Sequence, residues 1–267
     1  MCSSDLFKDD AVKMEACKKV VQNMIAGGST VIDTAPRYEE AEERVGDVVD
    51  SLKARSKLFL ATKVWADQTP AEQTASMAAS LKKLRTDKVD LMQFHVTTRP
   101  ETSLQILRDF EAQGHTRYVG VGNSQNYDAV EAVMKREMPD FLQVDYSIDN
   151  RDCEDRLLPV AKDYGIAVLV NIPFGRNALF NRVKGVALPP FAKELQIQTW
   201  AQFFLKFVLA HPAVTTVIPG TNDPVHMLDN LGAGRGPMPD AAMRQRMLAY
   251  WNSLPGETQY QDKARGR

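Results

Sequence analysis

The sequence predicts an α/β chain of the (β/α)8 TIM-barrel class, and three observations carry that prediction. Short apolar runs rich in Val, Ile, Leu and Phe recur along the 267 residues, each is followed by a stretch of helical periodicity, and nearly every run ends in a polar residue. Apolar runs of this length are expected of parallel strands buried on both faces, and their regular alternation with helices builds a parallel sheet. An open doubly wound sheet is the alternative. It is disfavoured because no G-x-G-x-x-G follows the first run, and the polar endings are spread along the chain instead of gathering at one crossover.

In chain order the runs are TVIDTA (Thr30 to Ala35), LFLATKV (Leu58 to Val64), VDLMQFH (Val89 to His95), YVGVGN (Tyr118 to Asn123), FLQVDY (Phe141 to Tyr146), IAVLVNI (Ile166 to Ile172) and TTVIPG (Thr215 to Gly220). Only seven barrel strands are therefore evident, where closure needs eight. The helical stretches between them have legible ends. Thr69-Pro70-Ala71-Glu72 supplies an N-cap, a first-turn proline and a capping-box glutamate ahead of Met77, Leu81 and Leu84. Gly114 and Gly165 suit left-handed C-caps. Trp200, Phe203, Phe204, Phe207 and Val208 form the longest apolar helical face, and Asp240 caps a last helix carrying Met243, Met247 and Trp251. These Met and aromatic stripes are read as packing against the sheet.

Composition excludes several partners. With 33 basic and 34 acidic side chains the net charge is -1, which favours neither nucleic acid nor an anionic membrane. No window approaches a membrane span, and the first thirty residues lack the pattern of a signal peptide. Cys2, Cys17 and Cys153 are odd in number and unpatterned, which suits a reducing cytoplasm and neither a disulfide framework nor a zinc or other metal site. The expected organisation is one barrel domain over residues 1–254, with a polar C-terminal tail over 255–267.

Barrel sites gather at the carboxyl ends of the strands. Asp33, Lys63 and His95 end three successive runs, and Tyr38 lies in the loop after the first, so the four are expected to converge. That set suits reduction of a carbonyl by a nicotinamide cofactor. An oxygen that gains negative charge on accepting hydride needs a proton donor, and a tyrosine (pKa about 10 unperturbed) serves only if its pKa is lowered. A nearby ammonium lowers it, and a carboxylate keeps the ammonium charged and oriented. Tyr38 is thus the expected acid, Lys63 its tuner, Asp33 the partner of Lys63, and His95 a donor that places the substrate oxygen. Each alone has a blander explanation: Asp33 a turn cap, Lys63 a rim charge, His95 a bonded core residue, Tyr38 surface packing. Their order at consecutive strand ends favours the joint reading. Gly220 to Pro224 run from the last strand into a short helix closed by Gly232, a frequent phosphate site in barrels, the blander alternative being an ordinary strand-to-helix turn.

Six motifs in order carry a family resemblance: I-D-T-A-x-x-Y (Ile32 to Tyr38) with Ala41-Glu42 and Gly46, A-T-K-V-W (Ala61 to Trp65), D-L-M-Q-F-H (Asp90 to His95), V-G-V-G-N-S (Val119 to Ser124), Q-V-D-Y (Gln143 to Tyr146), and V-I-P-G-T (Val217 to Thr221) with Asp229-Asn230. From about Asp10 to Leu254 the chain resembles the aldo-keto reductases. The resemblance implies a TIM barrel binding NADPH without a Rossmann domain, reversible reduction of aldehydes or ketones, and the tetrad Asp33, Tyr38, Lys63 and His95. It also implies that Asn123 and Gln143 hold the nicotinamide carboxamide, that Phe174 and Arg176 lie along the pyrophosphate, and that Gly220, Thr221, His226, Asp229 and Asn230 belong to the adenosine end.

Departures from the pattern bear on cofactor choice. Asn171 stands where many members stack an aromatic ring under the nicotinamide. Gly220 stands where many carry a lysine, and His226 in place of an arginine that grips the 2′-phosphate, so NADH is expected as an alternative cofactor. Trp65, Val96 and Phe174 are expected to line an apolar mouth for a small carbonyl substrate. The hairpin and first strand usual in the family are not evident, which suggests a truncated version and self-association through open barrel edges. A second implication is a nucleotide-binding regulatory or inactive aldo-keto-reductase-like protein, as with the β subunits of potassium channels.

Overall fold

The computed structural model of the chain describes residues 11–95, 97, 99, 101–122 and 126–256. Its elements alternate as the apolar runs predict: α1 (Ala11–Ala26), β1 (Val31–Asp33), α2 (Ala41–Ser51), β2 (Phe59–Val64), α3 (Pro70–Lys83), β3 (Leu91–Phe94), α4 (Gln105–Ala112), β4 (Tyr118–Gly122), α5 (Tyr127–Glu137), β5 (Phe141–Asp145), α6 (Leu157–Asp163), β6 (Ala167–Asn171), α7 (Ala178–Arg182), α8 (Trp200–Leu209), β7 (Thr216–Val217), α9 (Pro224–Gly232) and α10 (Ala241–Ser253). The seven strands form one sheet in the order β1-β2-β3-β4-β5-β6-β7, every neighbouring pair parallel. The sheet curls into a partial barrel.

The pleat sorts the side chains. Register pairs Val31 with Phe59, Ala61 with Leu91 and Leu91 with Tyr118, so these residues share the inner face. There Ala61, Leu91 and Leu169 pack with Val31, Phe59, Tyr118 and Phe141, plugging the amino-terminal half of the barrel. The alternate residues, among them Ile32, Leu60, Val64, Met92, Val121, Val144 and Val170, face outward into a larger apolar layer shared with the helices. Two residues further along the inner face, polarity takes over: Asp33, Lys63, Gln93 and Gln143 stand above the apolar plug, all buried.

Helix boundaries follow local chemistry. Thr69 and Glu72 form the reciprocal capping box on α3, and Asp240 accepts from Met243 N at the start of α10. Gly114 and Gly165 take left-handed φ values of 83° and 68° after α4 and α6. On α8, Phe203, Phe204, Phe207 and Val208 are all buried. Gly46 is required by close approach, because a Cβ there would lie 2.3 Å from the carbonyl oxygen of Lys83.

Between β1 and β7 no strand pairing exists among the described residues. A slot of about 250 Å3 separates them, bordered by Val31, Thr216, Val217 and Ile218. Helices α1 and α9 pack across its outer side, tied by Asn23 Nδ2 donating to the Pro224 carbonyl at 3.1 Å. Among the described residues no helix is long and apolar enough to cross a membrane. The first ten residues and the tail from Glu257, where a missing strand and a loose polar end were expected, lie outside the described residues.

Candidate active site

The inner face at the carboxyl ends of β1, β2, β3 and β5 builds a single polar cluster around one carboxylate. Asp33 and Lys63 are 0% and 2% exposed. Lys63 Nζ donates to Asp33 Oδ2 at 2.5 Å and to the Thr34 carbonyl at 2.9 Å. Gln93 Nε2 donates to Asp33 Oδ1 at 3.0 Å, and Gln143 Nε2 to Asp33 Oδ2 at 3.1 Å. A buried ion pair is sustainable only when its remaining bonding capacity is satisfied, and the two glutamines supply donors to the carboxylate.

Tyr38 and His95 stand beside the lysine. The Lys63 ammonium lies 5.3 Å from the Tyr38 ring centroid, and the Tyr38 and His95 rings meet edge-on at 5.7 Å. Burial lowers the His95 pKa to about 4, with the Lys63 and Arg37 charges acting in the same direction and Asp33 opposing them. The imidazole is therefore neutral near pH 7. Its buried Nδ1 has no hydrogen-bond partner among the described residues. Trp65 stacks on His95 with centroids 4.4 Å apart and planes 11° from parallel. The four residues expected to converge do converge, and Trp65 joins them. Val96 and Asn123 lie outside the described residues.

The remaining expected cofactor residues are more dispersed. Asn171 ends β6 beside Asp145 of β5, and its buried Oδ1 has no partner among the described residues. A carboxamide N–H fits such an orphaned acceptor. Gln143 directs its amide nitrogen to Asp33. Phe174 and Arg176 sit in a loop where Ile172, Gly175, Arg176 and Asn177 all have positive φ. Left-handed backbone is costly for a β-branched isoleucine, and strain of this kind clusters at functional sites. Phe174 packs on Phe180 at 4.9 Å, and Arg176 is exposed.

At the expected adenosine end, Gly220 is exposed and Thr221 Oγ1 accepts from Asp223 N at 3.1 Å. The Asp223 carboxylate accepts from Val225 N at 2.7 Å and so caps α9 itself, with His226, 71% exposed, 3.9 Å away. A carboxylate already occupies the helix terminus at which a phosphate was expected. Asp229 accepts from Thr199 Oγ1 at 2.9 Å and Gln202 Nε2 at 2.7 Å, bracing the start of α8, and Asn230 borders the slot.

Two residues escaped the sequence reading. Gln93 was read as part of an apolar strand, although a polar residue two positions before His95 shares its face of the sheet. Arg37, next to Tyr38, lays its guanidinium 3.8 Å from the Trp65 ring centroid; nothing in the spacing announced that stack.

The curled parallel sheet gathers a lysine–carboxylate pair, a tyrosine and a neutral histidine at its strand ends, and comparison with known proteins gives the family. Residues 5–246 match the model of the aldo/keto reductase family. The aldo-keto reductase str7 of Strobilurus tenacellus is 25% identical over 90% of this chain and 82% of its own. The NADH-specific methylglyoxal reductase of Escherichia coli is 26% identical over 68% of this chain and 63% of its own. An aldo/keto reductase of Klebsiella pneumoniae, solved in complex with NADP and acetate, superposes with a TM-score of 0.79 at 23% identity, covering 98% of this chain and 94% of that one. The chain belongs to the aldo/keto reductase family, whose members are oxidoreductases.

Proposed function

We propose that the chain is an NAD(P)H-dependent reductase that converts an aldehyde or ketone to an alcohol. The observation that carries this reading is the buried Lys63 ammonium, bonded to Asp33 and 5.3 Å from the Tyr38 ring. Tyr38 acts as the general acid that protonates the carbonyl oxygen. Lys63 favours the phenolate and eases that proton's departure, and Asp33 keeps the ammonium charged and fixed. His95, neutral and edge-on to Tyr38, hydrogen-bonds the substrate oxygen and holds it toward the phenol. Trp65 lines the substrate's approach.

When bound, the nicotinamide would supply the hydride. Asn123 and Gln143 are the residues assigned to its carboxamide, Asn171 to the position under the nicotinamide ring where many members stack an aromatic side chain, Phe174 and Arg176 to the pyrophosphate, and Gly220, Thr221, His226, Asp229 and Asn230 to the adenosine end. NADPH is the family expectation, and the Klebsiella pneumoniae neighbour in complex with NADP agrees with it. The capped α9 terminus and exposed His226 favour acceptance of NADH too, as does the likeness to an NADH-specific relative. Cys17 and Cys153 are buried thiols, which suits a reducing cytoplasm.

Tyr38→Phe is the direct test. Aldehyde reduction should fall roughly 100- to 10,000-fold, the usual share of general acid catalysis, while cofactor still quenches intrinsic fluorescence. A phenylalanine variant as active as the parent would remove Tyr38 from its role. Cofactor binding without turnover in the parent would favour the regulatory reading instead.

A further inference from the structure

Three stacked layers lead from solvent into the site. The Arg37 guanidinium lies 3.8 Å from the Trp65 ring centroid, Trp65 lies 4.4 Å from the His95 ring and nearly parallel to it, and His95 meets Tyr38 edge-on. Two aromatic layers thus hold a cation at the mouth, on a residue adjacent in sequence to the proposed acid. Cation–π stacking of a guanidinium on an indole fixes its plane while leaving its N–H edge free to bond.

The charges around it do not cancel Arg37. Lys63 and Asp33 neutralise each other, and Glu40, three residues along, pairs with Arg44 at 3.1 Å. His95 is neutral near pH 7, and the Arg37 charge is close enough to contribute to that. Among the described residues no carboxylate lies within ion-pair distance of Arg37. The side chain is exposed, so it stays available to a ligand. The mouth therefore combines an apolar wall, Trp65, with a fixed and unmatched positive charge.

We infer that Arg37 is a specificity-determining residue that selects carbonyl substrates bearing a carboxylate a few carbons from the reacting carbon: short oxo acids. A guanidinium receives a carboxylate through two parallel N–H···O bonds, which orients as well as attracts. The carbonyl would then reach Tyr38 and His95 while the carboxylate remains at the mouth. The inference rests on the reductase reading for its substrate, but the anion site itself does not depend on turnover.

The test compares 4-oxobutanoate with its neutral methyl ester, in the parent chain and in Arg37→Gln. The parent should prefer the acid in kcat/KM, and the preference should shrink about tenfold or more in the variant, mainly through KM, as expected for loss of a charge-assisted hydrogen bond. Raised salt should erode the parent's preference. An unchanged preference would overturn the inference, as would equal losses for both substrates, which would mark Arg37 as a prop for Trp65. Calorimetric titration with succinate, nicotinamide cofactor present, separates the two claims. Succinate binding that disappears in Arg37→Gln, with neither aldehyde reduced, would keep the anion site and sink the reductase reading. Equal succinate binding in both proteins, or none in the parent, would sink the anion site.

Discussion

His95 shows how burial sets chemistry at a single residue. Its folded pKa of about 4 lies below the ordinary imidazole value of 6.5. The unfolded chain therefore binds this proton more readily between those values, and stability falls as pH drops through that window, by at most about 1.4 kcal/mol per pH unit before solvent screening reduces it. Above pH 6.5 the contribution is fully present. Urea midpoints of the parent should decline more steeply from pH 6.5 to 4 than those of His95→Gln; identical slopes would show that the imidazole is not held neutral. The pH profile of kcat/KM should likewise show no limb from His95 between about pH 5.5 and 7.5. At this scale the convergence of Asp33, Tyr38, Lys63 and His95 was legible because residue type and strand-end position coincide, whereas Gln93 was hidden inside an apolar run. Its bond to Asp33 crosses from β3 to β1, a contact that depends on barrel curvature. The Arg37 stack was illegible for a similar reason, since ring planes are set by packing.

Helix α9 is the element whose chemistry differs most from its sequence signature. Pro224 in the first turn and the closing glycine were read correctly as bounds, yet the amino terminus is not left free for a phosphate, because Asp223 caps it with its own carboxylate. Repulsion between that charge and a 2′-phosphate follows from its position at the terminus. Asp223→Ser keeps a capping oxygen and removes the charge. The ratio of NADPH to NADH affinity should rise about three- to tenfold in that variant, the scale of a helix-terminus charge effect; an unchanged ratio would place the adenosine phosphate elsewhere. Strand ends show the complementary lesson. β7 pairs over only Thr216 and Val217, shorter than the TTVIPG run, because Pro219 cannot donate to a ladder and Ile218 ends the pairing. The α3 capping box, the Asp240 cap and the glycines after α4 and α6 were legible, since their signals lie within one helical turn.

At the scale of the molecule, strand order followed directly from alternation, because consecutive βα units place each strand beside the last. The packing of α1 on α9 across the slot was not legible, since it joins residues 201 positions apart. The facing edges of β1 and β7 carry backbone groups without a sheet partner among the described residues, and such edges pair readily with other chains. We propose that a second copy of the chain meets them. Light scattering over a range of concentrations should then show dimers or larger species, and a monomer at every concentration would indicate that α1 and α9 shield the edges well enough. Whether seven paired strands hold a working site is the broader question, and hydride transfer answers it. NADPH carrying deuterium at the transferable position of the nicotinamide should be incubated with the chain and a small aldehyde, and the alcohol examined by mass spectrometry. Deuterium on the carbinol carbon, formed by the parent and lost with Tyr38→Phe, is the expected result. Folded protein that binds NADPH yet transfers no deuterium to any aldehyde or oxo acid would contradict the assignment of Asp33, Tyr38, Lys63 and His95 as a carbonyl-reducing site.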